Sequence, residues 1–150
     1  MKTKIPPPII MASCMAVALA LSLCFPSPAM LIPFRLLLAL VLALLGSIFA
    51  CHSVFRFWQQ QTTISPLSPQ ETKTLVTDGF YRITRNPMYV GMALGLMAVV
   101  IYLATWAALL ALPLFVVALN ILQIIPEEDM LTRKFGPEYL AYKARVRRWL

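Results

Sequence analysis

The stretch from Asn86 to Pro126, NPMYVGMALGLMAVVIYLATWAALLALPLFVVALNILQIIP, contains no Asp, Glu, Lys, Arg or His. A single helix of that length would run roughly 60 Å at ~1.5 Å per residue, about twice the ~30 Å of hydrocarbon in a bilayer. The segment therefore has to double back. The turn is expected near Ala104 to Trp106, giving a helical hairpin with arms at about Met88 to Leu103 and Trp106 to Ile125. Pro113 falls inside the second arm and is expected to kink it, which membrane helices tolerate when neighbours satisfy the freed carbonyl.

Working towards the N-terminus, two more apolar runs appear, Ile9 to Phe25 and Leu36 to Phe55, each close to the roughly 20 residues that one crossing needs. The composition agrees. Of the 150 residues 60% are hydrophobic and 13% charged, about half the charged fraction of a soluble domain, which excludes a disordered or nucleic-acid-handling tail. The expected fold is all-α: a polytopic integral membrane protein with four spans, the last two forming the hairpin, and an interfacial amphipathic helix. Residues 1–78 form an N-terminal part with a linker helix, and residues 79–150 carry the candidate site.

The formal net charge of +7 would suggest a polyanion in a soluble protein; here its placement reports topology. With both termini cytoplasmic, Lys2, Lys4, Arg56, Lys73, Arg82 and Arg85, together with Arg133, Lys134, Lys143, Arg145, Arg147 and Arg148, lie inside, and only Arg35 lies outside. That asymmetry favours a retained first span in an inner, plasma-type membrane. The competing reading is a cleaved signal peptide over Met1 to Met30, with Lys2 and Lys4 before an apolar core and Pro26, Ser27, Pro28 and Ala29 behind it.

Local signals mark the connections. Ser68, Pro69 and Glu71 read as a capped helix start, predicting a short cytoplasmic helix to about Val76. Asp78 and Gly79 then make a turn in which glycine supplies positive φ. Pro126, followed by Glu127, Glu128 and Asp129, reads as another helix start with its acids at the positive end of the dipole. Gly136 and Pro137 break that helix, and Glu138 to Trp149 resumes it along the inner membrane surface, with Tyr139, Tyr142, Val146 and Trp149 on one stripe.

Candidate chemistry is sparse. Cys14, Cys24 and Cys51 form no CxxC pair and read as small apolar fillers. His52 is the only histidine, which excludes a three-histidine zinc site and paired axial haem ligands within one chain, and no metal is expected. Folding the hairpin brings Arg82-Ile83-Thr84-Arg85-Asn86-Pro87-Met88-Tyr89-Val90-Gly91 towards Glu127-Glu128-Asp129, so cations, a tyrosine and carboxylates meet at the cytoplasmic surface. Such a cluster suits a zwitterionic or cationic small ligand, although topology and helix-start preference account for the same residues without one. Gly91 and Gly95 have the GxxxG spacing of close helix packing, with admission of a ligand at Gly91 as the alternative.

Two separated blocks in this order resemble the C-terminal half of the isoprenylcysteine carboxyl methyltransferase and phospholipid methyltransferase superfamily. The first is Arg85-Asn86-Pro87-Met88-Tyr89-Val90-Gly91; after the hairpin come Glu127-Glu128-Asp129-Met130-Leu131 and Phe135-Gly136-Pro137-Glu138-Tyr139-Leu140-Ala141-Tyr142-Lys143-Ala144-Arg145-Val146-Arg147-Arg148-Trp149. The family pattern is roughly R-[HN]-P-x-Y-x-G, a hairpin, E-E-x-x-L, then F-G-x-x-Y-x-x-Y. The resemblance covers Gly79 to Trp149; the spans before Gly79 match only in being apolar.

The resemblance implies an integral-membrane enzyme that transfers a methyl group from S-adenosylmethionine to a lipophilic acceptor, with membrane lipids around it and no nucleic-acid or protein partner. The chain has no GxGxxG after a strand, so the cofactor would have to sit on helices and turns. By analogy Arg85, Asn86, Tyr89 and Gly91 would line the cofactor site from one flank and Glu127 and Glu128 from the other, with Tyr139, Tyr142 and Arg145 closing it or meeting the acceptor. Arg145 or Arg85 would orient a carboxylate acceptor, and Glu127 or Glu128 would serve an amine. Many family members that methylate prenylated cysteine carry histidine where Asn86 stands; asparagine does not titrate near neutrality, so no proton relay is expected there. A noncatalytic scaffold and a small multidrug-type transporter are the rival classes. The absence of an acid inside any expected span counts against the transporter.

Overall fold

The computed structural model describes residues 5–25, 33–59 and 74–150. Six α-helices lie within them: α1 (Pro7–Cys24), α2 (Arg35–Gln59), α3 (Pro87–Leu103), α4 (Ala111–Leu119), α5 (Ile125–Phe135) and α6 (Pro137–Arg145). Pro7 and Pro87 each stand in the first turn of their helix, where a missing N–H costs nothing. Among the described residues three helical stretches, rather than the four expected, are long and apolar enough to cross a membrane: Pro7–Cys24, Arg35–Arg56 and Ala107–Phe135. The fourth apolar helix, α3, is shorter at 17 residues. Large side chains such as Leu37, Leu44, Leu110 and Val117 are exposed, as expected of surfaces that face lipid.

Helices α2 and α3 pack backbone to backbone. A Cβ added at Gly91 would fall 2.6 Å from the Gly46 carbonyl oxygen, and one added at Gly46 would fall 2.6 Å from that of Gly91. The small-residue spacing on α3 therefore acts in packing, against a glycine of α2. Helix α1 packs on α3, α4 and the 3-10 turn Ala107–Leu110. A core of Ile10, Cys14, Tyr89, Leu96, Phe115, Leu119 and Ile124 lies between these elements. Cys14 is a buried filler, but Cys24 and Cys51 are exposed.

Ala104 ends α3 in the left-handed conformation (φ 51°) and is fully buried. The 3-10 turn Ala107–Leu110 leads into α4, and Pro113 is its third residue, so its missing donor falls next to a stretch that is already non-α. The π-turn Asn120–Ile124 was not anticipated. Pro126 follows it at the second position of α5, and its ring would otherwise press on the carbonyl four residues earlier; the wider π-turn relieves that conflict. Ile124 and Ile125 are both helical, so the acids after Pro126 do not sit at a free helix end and the dipole account of them fails. Gln123 is fully buried in this turn and its Nε2 donates to the Ile5 carbonyl, tying the segment before α1 to the hairpin.

Of the connections, Gly79 has positive φ (59°) as expected, and a Cβ there would strike the His52 ring. His52 packs on Phe80 with ring centroids 4.3 Å apart, and Asp78 pairs with Arg56. The expected helix from Ser68 lies mainly outside the described residues, and Thr74 to Val76 are not helical. Gly136 (φ 50°) ends α5 and Pro137 opens α6. Helix α6 then stops at Arg145 rather than continuing to Trp149. Val146 is extended, and the carbonyls beyond it bond to the loop before α3 instead of to a next helical turn.

Candidate functional site

The start of α3 and the start of α5 meet at one end of the helices. Tyr89, one turn into α3 and buried, donates its hydroxyl to Glu127 Oε1 at 2.6 Å. Arg85, just before α3, sets NH2 3.0 Å from Glu128 Oε1, and both side chains are nearly buried at 8% and 6% exposure. The two flanks of the apolar hairpin are thus joined by two separate polar contacts.

Glu128 holds two further cations. Arg148 forks onto it, Nε to Oε1 and NH2 to Oε2, both at 2.9 Å, and Lys143 Nζ lies 3.2 Å from Oε2. Charged, bidentate bonds of this kind are the strongest a side chain makes. The fork holds the Arg148 guanidinium above its ordinary pKa. Arg85 is less well served: its Nε and NH1 are buried without a hydrogen-bond partner among the described residues.

The C-terminal residues are brought here by backbone bonds. Arg85 N donates to the Arg147 carbonyl at 2.9 Å, and residues 84 and 147 form an isolated parallel bridge. Thr84 Oγ1 and Asn86 Nδ2 both donate to the Arg148 carbonyl, at 3.1 and 2.9 Å. Trp149 Nε1 donates to Asn120 Oδ1 of the π-turn at 3.3 Å. In an extended segment neighbouring side chains point to opposite sides, which turns Arg148 inward and leaves Arg147 exposed.

Helix α6 closes the cluster from beneath. Tyr139 and Tyr142 are buried with ring centroids 6.2 Å apart, and the Tyr142 hydroxyl donates to the Tyr81 carbonyl at 2.7 Å. Burial, with the Glu128 charge nearby, pushes the Tyr139 phenol up to about 12, and burial pushes Tyr142 above its ordinary value too. Both are neutral hydroxyls at physiological pH.

Among the residues singled out in the sequence, Arg85, Tyr89, Glu127 and Glu128 are brought into contact. Asn86 instead binds the C-terminal strap, and Gly91 lies against α2. Arg145 is exposed and, among the described residues, bonds only within its own helix, Nε to the Ala141 carbonyl at 3.3 Å; Arg148 is the arginine of this segment that forks onto Glu128. Arg148, Lys143 and Thr84 were missed. Their roles come from a chain end folding back, which no spacing within the segment signals.

The chain matches the phospholipid methyltransferase family over residues 34–138. It belongs to that family. The match reaches back over α2, further than the motif blocks do, and stops before Tyr139. An uncharacterized protein of Haemophilus influenzae is 43% identical over 63 residues, which is 42% of this chain and the whole of that relative. No solved structure matches the chain. Family membership makes this a membrane methyltransferase at the family level.

Proposed function

We propose that the chain is an S-adenosylmethionine-dependent methyltransferase that modifies a lipophilic acceptor at the cytoplasmic membrane face. The observation that carries this reading is the joining of Arg85 and Tyr89 to Glu128 and Glu127 across the hairpin. The residues fit the cofactor in two respects. The buried, unpartnered Nε and NH1 of Arg85 match a carboxylate, and Glu127 beside the Tyr89 hydroxyl suits an ammonium or a sugar hydroxyl.

The cofactor supplies a methyl group already activated by its sulfonium, so the protein's task is positioning and exclusion of water. Burial of Tyr89, Tyr139 and Tyr142 keeps water from the cluster. Glu128 is occupied by three cations, which leaves Glu127 as the carboxylate to take a proton from an amine acceptor. Arg85 is the better placed cation for a carboxylate acceptor, since Arg145 points to solvent. An apolar groove of about 510 Å3 runs between α1, α2 and α3 past Met11, Leu40, Ala43 and Tyr102 to Gly91. Two positions along a helix face nearly opposite ways, so the groove at Gly91 lies across α3 from Tyr89; its apolar lining suits a hydrocarbon chain.

Incubating membranes that contain the protein with cofactor labelled in its methyl group tests the reading. Label is expected in an organic-extractable product, and Tyr89→Phe and Glu127→Gln are expected to reduce it. Absence of labelled lipid and of saturable cofactor binding by the folded protein would overturn it.

A further inference from the structure

Glu128 is surrounded by more cations than its oxygens need. Three cations against one carboxylate leave a surplus of two positive charges before Glu127 is counted. Arg148 claims both oxygens with its fork. Arg85 is left with one contact through NH2, while its Nε and NH1 are buried and unpartnered. Buried N–H groups on a charged side chain are costly to leave unmade. Arg85 would relieve that cost by forking onto Glu128 itself, and the obstacle is that Arg148 is already there.

The strap presents Arg148 by its backbone. The Arg148 carbonyl accepts from Thr84 and Asn86, and Trp149 is tied to Asn120, so none of these anchors uses the Arg148 side chain. The strap also lies beyond the family match, which ends at residue 138. Its guanidinium can be changed while the anchors stay.

We propose that Arg148 is a positioning residue: by occupying Glu128 it keeps the buried Nε and NH1 groups of Arg85 unpaired and available to an oxyanion of the ligand. The identity of that ligand rests on the methyltransferase reading. Its oxyanion is the cofactor's amino-acid carboxylate or an anionic group on the acceptor's head. Without the Arg148 fork, Arg85 turns onto Glu128 and those groups are taken up.

The test uses the full chain in non-ionic detergent, wild type beside Arg148→Gln and Arg148→Lys, with helicity by circular dichroism as the folding control. Four probes are titrated: S-adenosylhomocysteine, its decarboxylated analogue, dihexanoyl phosphatidylglycerol and inorganic phosphate, the last read as a rise in thermal midpoint over chloride at equal ionic strength. One charge-assisted contact corresponds to about tenfold or more in affinity. If the oxyanion is the cofactor's, Arg148→Gln weakens S-adenosylhomocysteine by about that factor and leaves the decarboxylated analogue unchanged. If it is the acceptor's, the phosphatidylglycerol titration carries the loss instead. Arg148→Lys, which keeps the charge but reaches one oxygen, falls between, and Arg148→Gln adds nothing in a Glu128→Gln background.

Equal weakening of S-adenosylhomocysteine and its decarboxylated analogue marks a merely structural role and overturns the proposal, as does wild-type affinity of Arg148→Gln for all four probes. Failure of the wild type to bind any probe overturns it as well. If neither adenosyl compound binds the wild type but the phosphate effect is present and is lost in Arg148→Gln, the strap proposal stands and the methyltransferase reading falls.

Discussion

The Tyr89 hydroxyl donates to Glu127 Oε1 at 2.6 Å, joining two residues 38 apart in the chain. Almost everything between them is apolar, so this bond and the Arg85–Glu128 pair are what hold the two ends of the hairpin in polar register. Tyr89→Phe removes the bond and leaves a half-buried carboxylate without its donor. The expected cost is about 1.5–3 kcal/mol in stability, the range for hydrogen bonds to charged groups. Thermal unfolding in detergent measures it, and an unchanged midpoint would count against a native bond there.

Glu128 is the most heavily partnered side chain of the cluster. Glu128→Ala leaves Arg85 buried with no counter-charge, and breaking one partner out of a buried pair typically costs about 3–5 kcal/mol. The double variant Glu128→Ala, Arg85→Met is expected to recover part of that loss because no orphaned charge remains. If the double variant is as unstable as the sum of the two single variants, the ion pair is not the source of the effect.

The close crossing of α2 and α3 makes a separate prediction. Gly91→Ala places a methyl group 2.6 Å from the Gly46 carbonyl oxygen, a backbone atom that cannot swing aside. The helices must separate, with a loss of about 1–3 kcal/mol, the usual cost of overpacking. Gly136→Ala meets no atom within 4 Å; its cost, about 1–3 kcal/mol, comes from a backbone conformation (φ 50°, ψ −122°) that residues with a Cβ rarely adopt. Thermal unfolding in detergent checks both losses, and an unchanged midpoint for Gly91→Ala would count against the close crossing.

How much of this was legible depended on whether a feature is local. The turn at Ala104, the positive φ at Gly79 and the break at Gly136 each follow from a few neighbouring residues, and all are present. Pro126 was misleading for a physical reason. Proline at a helix start and proline after a π-turn have the same sequence around them, and only packing of the preceding turn against Ile5 and Trp149 separates the two. The strap was illegible for a similar reason. Tyr139, Tyr142, Val146 and Trp149 keep a helical stripe through Trp149, but bonds from Thr84, Arg85 and Asn86 to the Arg147 and Arg148 carbonyls offer a better use for those groups than one more exposed turn. Arg145, a site residue only by the resemblance, lies in the last turn of α6, and the extended chain beyond it is what brings Arg148 to Glu128.

The buried phenols of α6 set the alkaline limit. Tyr139 is held neutral up to about pH 12 in the folded chain, whereas the same phenol in the unfolded chain ionises near 10. Between those values the unfolded state has released a proton that the folded state retains, so folding stability falls as pH rises through that window and is unaffected by this group below it. Tyr139→Phe removes the contribution, and its midpoint is expected to decline less steeply than the wild type's between pH 10 and pH 12. Thermal unfolding across pH 9 to 12 checks the sign. A steeper decline in the variant would show that Tyr139 ionises more readily folded than unfolded, and that its burial does not govern it.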